Sequence, residues 1–123
     1  MQHSNVTVAQ SDPAAADALT SLLRTHFRSV SPARSLAELL SAVPKRRADV
    51  VVVDLELADL TQLQALRRQF DHLTIVCTHR LADEELWAHA LQAGADDCCH
   101  PADTRGILQA ACSRLPLARA GAA

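Results

Sequence analysis

The chain has 123 residues, of which 49% are hydrophobic and only 2% aromatic, and it carries a net charge of −2. That length suits one domain, and the apolar fraction excludes a disordered chain. Three scattered rings (Phe27, Phe70, Trp87) make a poor platform for single-stranded nucleic acid or a cation cage, and the short basic run Lys45-Arg46-Arg47 makes no duplex-binding face.

In chain order, Val6-Thr7-Val8-Ala9 is short and β-branched, as a buried strand is. Asp12-Pro13 opens a helix, with Asp as the N-cap and Pro at the first helical position. Leu19, Leu22, Leu23, His26 and Phe27 follow at helical spacing, which places His26 on the packed stripe. Ser35-Leu36-Ala37-Glu38 reads as a capping box. Leu36, Leu39, Leu40 and Val43 share one face of the second helix, and Pro44 stops it. The basic run after it is a solvated loop.

Asp49 introduces four consecutive valines, Val50 to Val53, apolar on both faces. A central strand of a parallel sheet has this character, because helices cover it on each side. A third helix opens over Asp59 to Gln62 and carries Leu63, Leu66 and Phe70. Leu73 to Cys77 is another buried strand. Asp83-Glu84-Glu85 places negative charge at the start of a fourth helix, which carries Leu86, Ala90 and Leu91 and ends at Gly94. Cys98-Cys99 reads as a fifth strand. Asp103 caps a last helix with Ile107, Leu108, Ala111, Cys112 and Leu115, and the chain frays from Pro116.

The order is βα repeated five times, which predicts an α/β fold: a doubly wound, five-stranded parallel sheet of flavodoxin-like type. One domain spans residues 1–123, with its core at about 4–115 and a tail or linker start at 116–123. In such sheets function sits at the carboxyl ends of the strands, where strand order reverses. Gln10, Ser11, Asp12, Asp54, Thr78, His79, His100 and Pro101 lie at those ends. No glycine follows the first strand, which excludes a phosphate loop there, and no nucleophile elbow appears, so no enzyme is expected. The longest apolar stretch, 48–60, is broken by four acids and cannot span a bilayer. The polar residues 1–5 lack signal-peptide character, so the expected location is cytoplasmic, with reduced thiols.

Several stretches in the right order resemble a known family. Val51-Val52-Val53-Asp54-Leu55-Glu56-Leu57-Ala58-Asp59 is similar to the strand that ends in the phospho-accepting aspartate of response-regulator receiver domains. Ile75-Val76-Cys77-Thr78 resembles the strand ending in the switch hydroxyl. Ala90-Leu91-Gln92-Ala93-Gly94-Ala95-Asp96-Asp97 resembles the fourth helix and its exit. His100-Pro101-Ala102-Asp103 sits where the family has Lys-Pro-Phe-Asp. The resemblance covers roughly residues 4 to 115. It implies two-component signalling by a chemotaxis-regulator-like domain, with Asp54 as the phospho-acceptor position, Thr78 as the switch hydroxyl, and a cis peptide bond before Pro101.

The departures are as informative as the matches. The acid pair that would hold magnesium falls on Gln10 and Ser11, neither of which is charged. Asp12, one place later, is explained by its cap role. The lysine position holds His100, which is shorter and lacks a fixed positive charge. The chain has no tyrosine, so the aromatic switch on the fifth strand is absent, and Gln62 replaces a turn glycine. A hard, oxygen-seeking ion needs carboxylates, and a transferring phosphoryl group needs cations. The resemblance therefore implies an atypical, or pseudo-, receiver. Such a domain acts as a protein-interaction module without ordinary Mg²⁺-dependent phosphorylation.

No cofactor is expected. If an ion did bind, Asp12, Asp54 and the Glu56 backbone would be its ligands. The partners implied are an output domain, a kinase or a second copy, met through the face of the fourth helix, fifth strand and fifth helix, with Trp87 as an interface residue. Neither nucleic acid nor membrane is an expected partner. A receiver still phosphorylated at Asp54 is the alternative. A third reading comes from Cys77-Thr78-His79 and Cys98-Cys99-His100, which would approach each other on neighbouring strands as a metal or redox sensor. Against it stands the tendency of cysteine to serve as a small buried hydrophobe.

Overall fold

The computed structural model describes residues 2–81 and 83–113. Leu115 and the tail from Pro116 lie outside the described residues. The elements alternate as β1 (Gln2–Ala9), α1 (Pro13–Arg24), β2 (Phe27–Ala33), α2 (Leu36–Lys45), β3 (Val50–Asp54), α3 (Leu60–Gln69), β4 (Thr74–Thr78), α4 (Glu84–Ala93), β5 (Asp97–Cys99) and α5 (Thr104–Cys112). The five strands form one parallel sheet in the order β2-β1-β3-β4-β5. This is the expected flavodoxin-like (βα)5 arrangement.

Strand alternation divides the core. Val51, Val53, Ile75, Cys77 and Cys98 face one side, where Leu39, Leu63, Leu66 and Ala90 cover them. Val50, Val52, Val76 and Cys99 face the other, against Leu19, Leu23 and Ile107. The four valines thus serve both faces, as a central parallel strand must. Each buried leucine contributes about 2 kcal/mol of apolar transfer.

Several local expectations are corrected. Leu23 and Phe27 imitate helical spacing, but α1 ends at Arg24 and Thr25 caps it, its hydroxyl donating to the Leu22 carbonyl at 2.7 Å. Phe27 instead opens β2 with its ring buried, and His26 is exposed between the two elements. His3, read as part of a loose end, lies within β1. Pro44 does not stop α2. It sits in the last turn and the helix runs to Lys45, since a proline so near the end removes a single terminal hydrogen bond. The Ser35 box is half formed. Ser35 Oγ accepts from Glu38 N, whereas Glu38 reaches back to the backbone N–H of Arg34.

Gln62, which stands where a turn glycine was expected, lies in the first turn of α3. It completes a full capping box with Asp59: Asp59 Oδ1 accepts from Gln62 N at 2.8 Å, and Gln62 Oε1 accepts from Asp59 N at 2.9 Å. Finally, no peptide bond among the described residues is cis, so the bond before Pro101 is trans. His100 Nδ1 accepts from Ala102 N at 3.0 Å, and the resulting tight turn reverses the chain without a cis bond.

Candidate functional site

Strand order reverses between β1 and β3, so the crevice opens at their carboxyl ends. Gln10 and Ser11 leave β1 there, and Asp54 ends β3. Asp54 is also the register partner of Thr78, the last residue of β4. The fold therefore brings Gln10, Ser11, Asp54 and Thr78 together.

Asp54 is 93% buried by its surroundings, at 7% exposure, and its carboxylate is well supplied with donors. Oδ2 accepts from Ser11 Oγ at 2.6 Å and from Ser11 N at 3.2 Å, and Oδ1 accepts from Glu56 N at 3.0 Å. Ser11 Oγ also lies 2.9 Å from Glu56 Oε2, so one hydroxyl proton serves two carboxylate oxygens. Glu56 Oε2 in turn accepts from Arg80 at 3.2 Å. This exposed ion pair is worth about 1 kcal/mol or less, but it holds a cation beside the site.

Thr78 is fully buried, and its hydroxyl is engaged. Gln10 Nε2 donates to Thr78 Oγ1 at 2.9 Å and to the Ala9 carbonyl at 3.1 Å, while Thr78 Oγ1 lies 3.3 Å from Gln10 Oε1. Gln10, itself 5% exposed, thus ties the end of β1 to the end of β4 across Asp54.

The donor set does not fit a hard divalent cation. Gln10 offers a neutral amide already committed to Thr78. Ser11 gives its proton to a carboxylate. Asp12 turns away to cap α1, its Oδ1 accepting from Ala14 N at 3.2 Å. Among the described residues, no three His, Cys, Asp or Glu side chains converge as a metal site, the Cys/His group of strands β4 and β5 included. His100 is exposed and bonded within its own turn, and no hydrogen bond links it to Asp54 among the described residues. His79 is half-buried, and its ring accepts from Leu81 N.

Trp87 is half-buried against the α3–α4 side of the core, and its Nε1 finds no hydrogen-bond partner among the described residues. The exposed apolar side chains nearby are Leu91, on α4, and Leu81, just before it. No helix among the described residues is long and apolar enough to cross a membrane.

Two features escaped sequence reasoning. Arg80 is one, and a signal for it exists: Asp54 pairs with Thr78, so residues two beyond each, Glu56 and Arg80, leave the sheet side by side. The other is the Gln10–Thr78 link, for which only strand order supplies the proximity.

The family profile described as "Response regulator receiver domain" matches residues 6–111. Solved structures of similar fold include the isolated REC domain of RcsB from Salmonella enterica serovar Typhimurium in the presence of phosphomimetic BeF3⁻. It aligns with a TM-score of 0.76 at 19% identity, covering 87% of this chain and 86% of that one. A putative response regulator from Chloroflexus aurantiacus aligns at 0.78 and 20% identity, over 92% of this chain and 100% of that one. A longer RcsB chain from Salmonella typhimurium aligns at 0.81 and 19% identity; 98% of this chain is covered but only 62% of that one. No curated protein sequence matches the chain.

Proposed function

The chain belongs to the response regulator receiver domain family, and from that premise we propose that it is an atypical receiver, a protein-interaction module that works without ordinary Mg²⁺-dependent phosphorylation. One observation carries this reading. The position that should hold a metal carboxylate holds Gln10, whose amide occupies the Thr78 hydroxyl at 2.9 Å. The ion loses a ligand and the hydroxyl loses its freedom through the same residue. Ser11 removes the second acid, and His100 replaces the lysine. Phosphoryl transfer to Asp54 would then lack its main cationic stabilisers. The surface presented to partners is accordingly not switched by Mg²⁺-dependent phosphorylation. Leu81 and Leu91 make the α4 side the proposed contact face for an output domain, a kinase or a second copy.

The test is a titration with beryllofluoride and Mg²⁺ to millimolar concentrations. Trp87 fluorescence and the amide resonances of Asp54 and Thr78 are followed throughout. No change is expected. A saturable shift centred on Asp54 would instead establish the phospho-accepting alternative.

A further inference from the structure

Cys77 and Cys98 are directly paired across β4 and β5. Neighbouring parallel strands lie about 4.8 Å apart, inside the Cα separation of roughly 4.4–6.8 Å that a disulfide spans. Both side chains point to the same face and join the same apolar cluster. The two thiols lie close enough for each to shift the other's acidity. Cys99 is different. It pairs with Thr78 and faces the opposite side of the sheet, so Cys98 and Cys99 point apart although adjacent in sequence.

We propose that Cys77 and Cys98 form an oxidisable dithiol, a modification site whose co-substrate is a hydroperoxide. The two sulfurs are chemically unequal. The neighbouring Cys98 thiol, followed by burial, pushes the Cys77 thiol well above its ordinary range, while the Cys77 thiol lowers Cys98. Cys98 is also nearer to solvent, on a three-residue edge strand paired only with β4. A hydroperoxide arriving from solvent therefore meets Cys98 first, and its thiolate is the attacking group.

The Cys98 thiolate attacks the terminal oxygen of ROOH. The O–O bond breaks, ROH leaves with a proton, and Cys98 becomes a sulfenic acid. The Cys77 sulfur then attacks the sulfenic sulfur, the S–O bond breaks, and the oxygen departs as water with the Cys77 proton. Two thiols and one hydroperoxide give one disulfide, one ROH and one water. The new bond staples β4 to β5 one residue before Thr78, beside the backbone bond from His79 N to the Cys99 carbonyl. Oxidation would thus act on the α4–β5–α5 side without any phosphoryl group. This inference is independent of the proposed loss of magnesium-dependent switching.

The experiment treats the full chain with hydrogen peroxide, quenches with catalase, and counts thiols in denaturant alongside intact mass and peptide mapping. Two of the four thiols should disappear, with loss of two hydrogens, a Cys77–Cys98 linked peptide and full recovery in dithiothreitol. Cys99→Ser and Cys112→Ser should behave like the parent chain. Cys77→Ser should stop at a sulfenic acid that dimedone traps on Cys98. Four surviving thiols, a bond between other cysteines or between chains, or no dimedone adduct on Cys98 in Cys77→Ser would each overturn the proposal. The mapping of the unaltered chain decides the matter even if a variant fails to fold.

Discussion

Gln10 commits its amide to Thr78, and Ser11 commits its proton to Asp54, so two small substitutions are expected to rebuild an ion site. In Gln10→Asp/Ser11→Asp, three or four carboxylates would crowd one crevice, and their repulsion favours a divalent cation. The double variant should melt lower than the parent chain in EDTA and recover with Mg²⁺, because an ion that binds only the folded state stabilises it by mass action. Calorimetric Mg²⁺ titration of both proteins checks this; identical flat traces would show that the acid positions are not what limits the ion. Cys99 supports a second prediction at this scale. Burial, then the charges of Asp97 and Asp103, push its thiol up to about 12 from 9.0. The folded state therefore keeps a proton that the unfolded state has released. Its contribution is complete below pH 9 and is lost as pH rises toward 12. Melting temperature should fall across that window, less steeply in Cys99→Ala.

At the scale of elements, the ends of helices decide where the site's loops begin. The Asp59–Gln62 box starts α3 and fixes the loop after Asp54. Asp59→Ala should cost about 1 kcal/mol in urea unfolding. Gly94 ends α4 at φ +123°, a conformation open to glycine, and a Cβ there would lie 2.7 Å from the Arg67 side chain. Arg67 itself ties α3 to the loop before β5. It donates to the carbonyls of Gly94, Asp71 and Leu73 and pairs with Asp96 Oδ2 at 2.8 Å, which also accepts from Ile75 N. Arg67→Ala should destabilise by about 2–3 kcal/mol, since it removes the donor to three carbonyls and the cation paired with a part-buried carboxylate. Gly94→Ala should also destabilise, through strain rather than lost charge. If Arg67→Ala melts like the parent chain, this staple carries no weight.

At the scale of the molecule, protection should follow sheet order. The inner strands β1, β3 and β4 are each flanked on both sides, whereas β5 is short and has one neighbour. Native-state hydrogen exchange should therefore be slowest at Val51–Val53 and Ile75–Val76 and faster at Cys98–Cys99. Uniform exchange across the sheet would contradict this order.

Much of this fold is legible because it rests on local chemistry. Four valines specify a strand covered on both faces, Asp12, Asp59, Asp83 and Asp103 each cap a helix, and Gly94 ends one. Asp54 and Thr78 are legible as strand-end residues, and Gln10 and Ser11 as positions without charge. β2 was hidden, because Leu23 and Phe27 have helical spacing and only the helix cap at Thr25 separates them. A sequence specifies periodicity, caps and charge, since each depends on neighbours a few residues away. It does not specify that Gln10 meets Thr78 across 68 residues, that Glu56 meets Arg80, or that Cys77 rather than Cys99 faces Cys98. Those pairings depend on strand order and register, and a shift of one residue would turn every one of them to the opposite face.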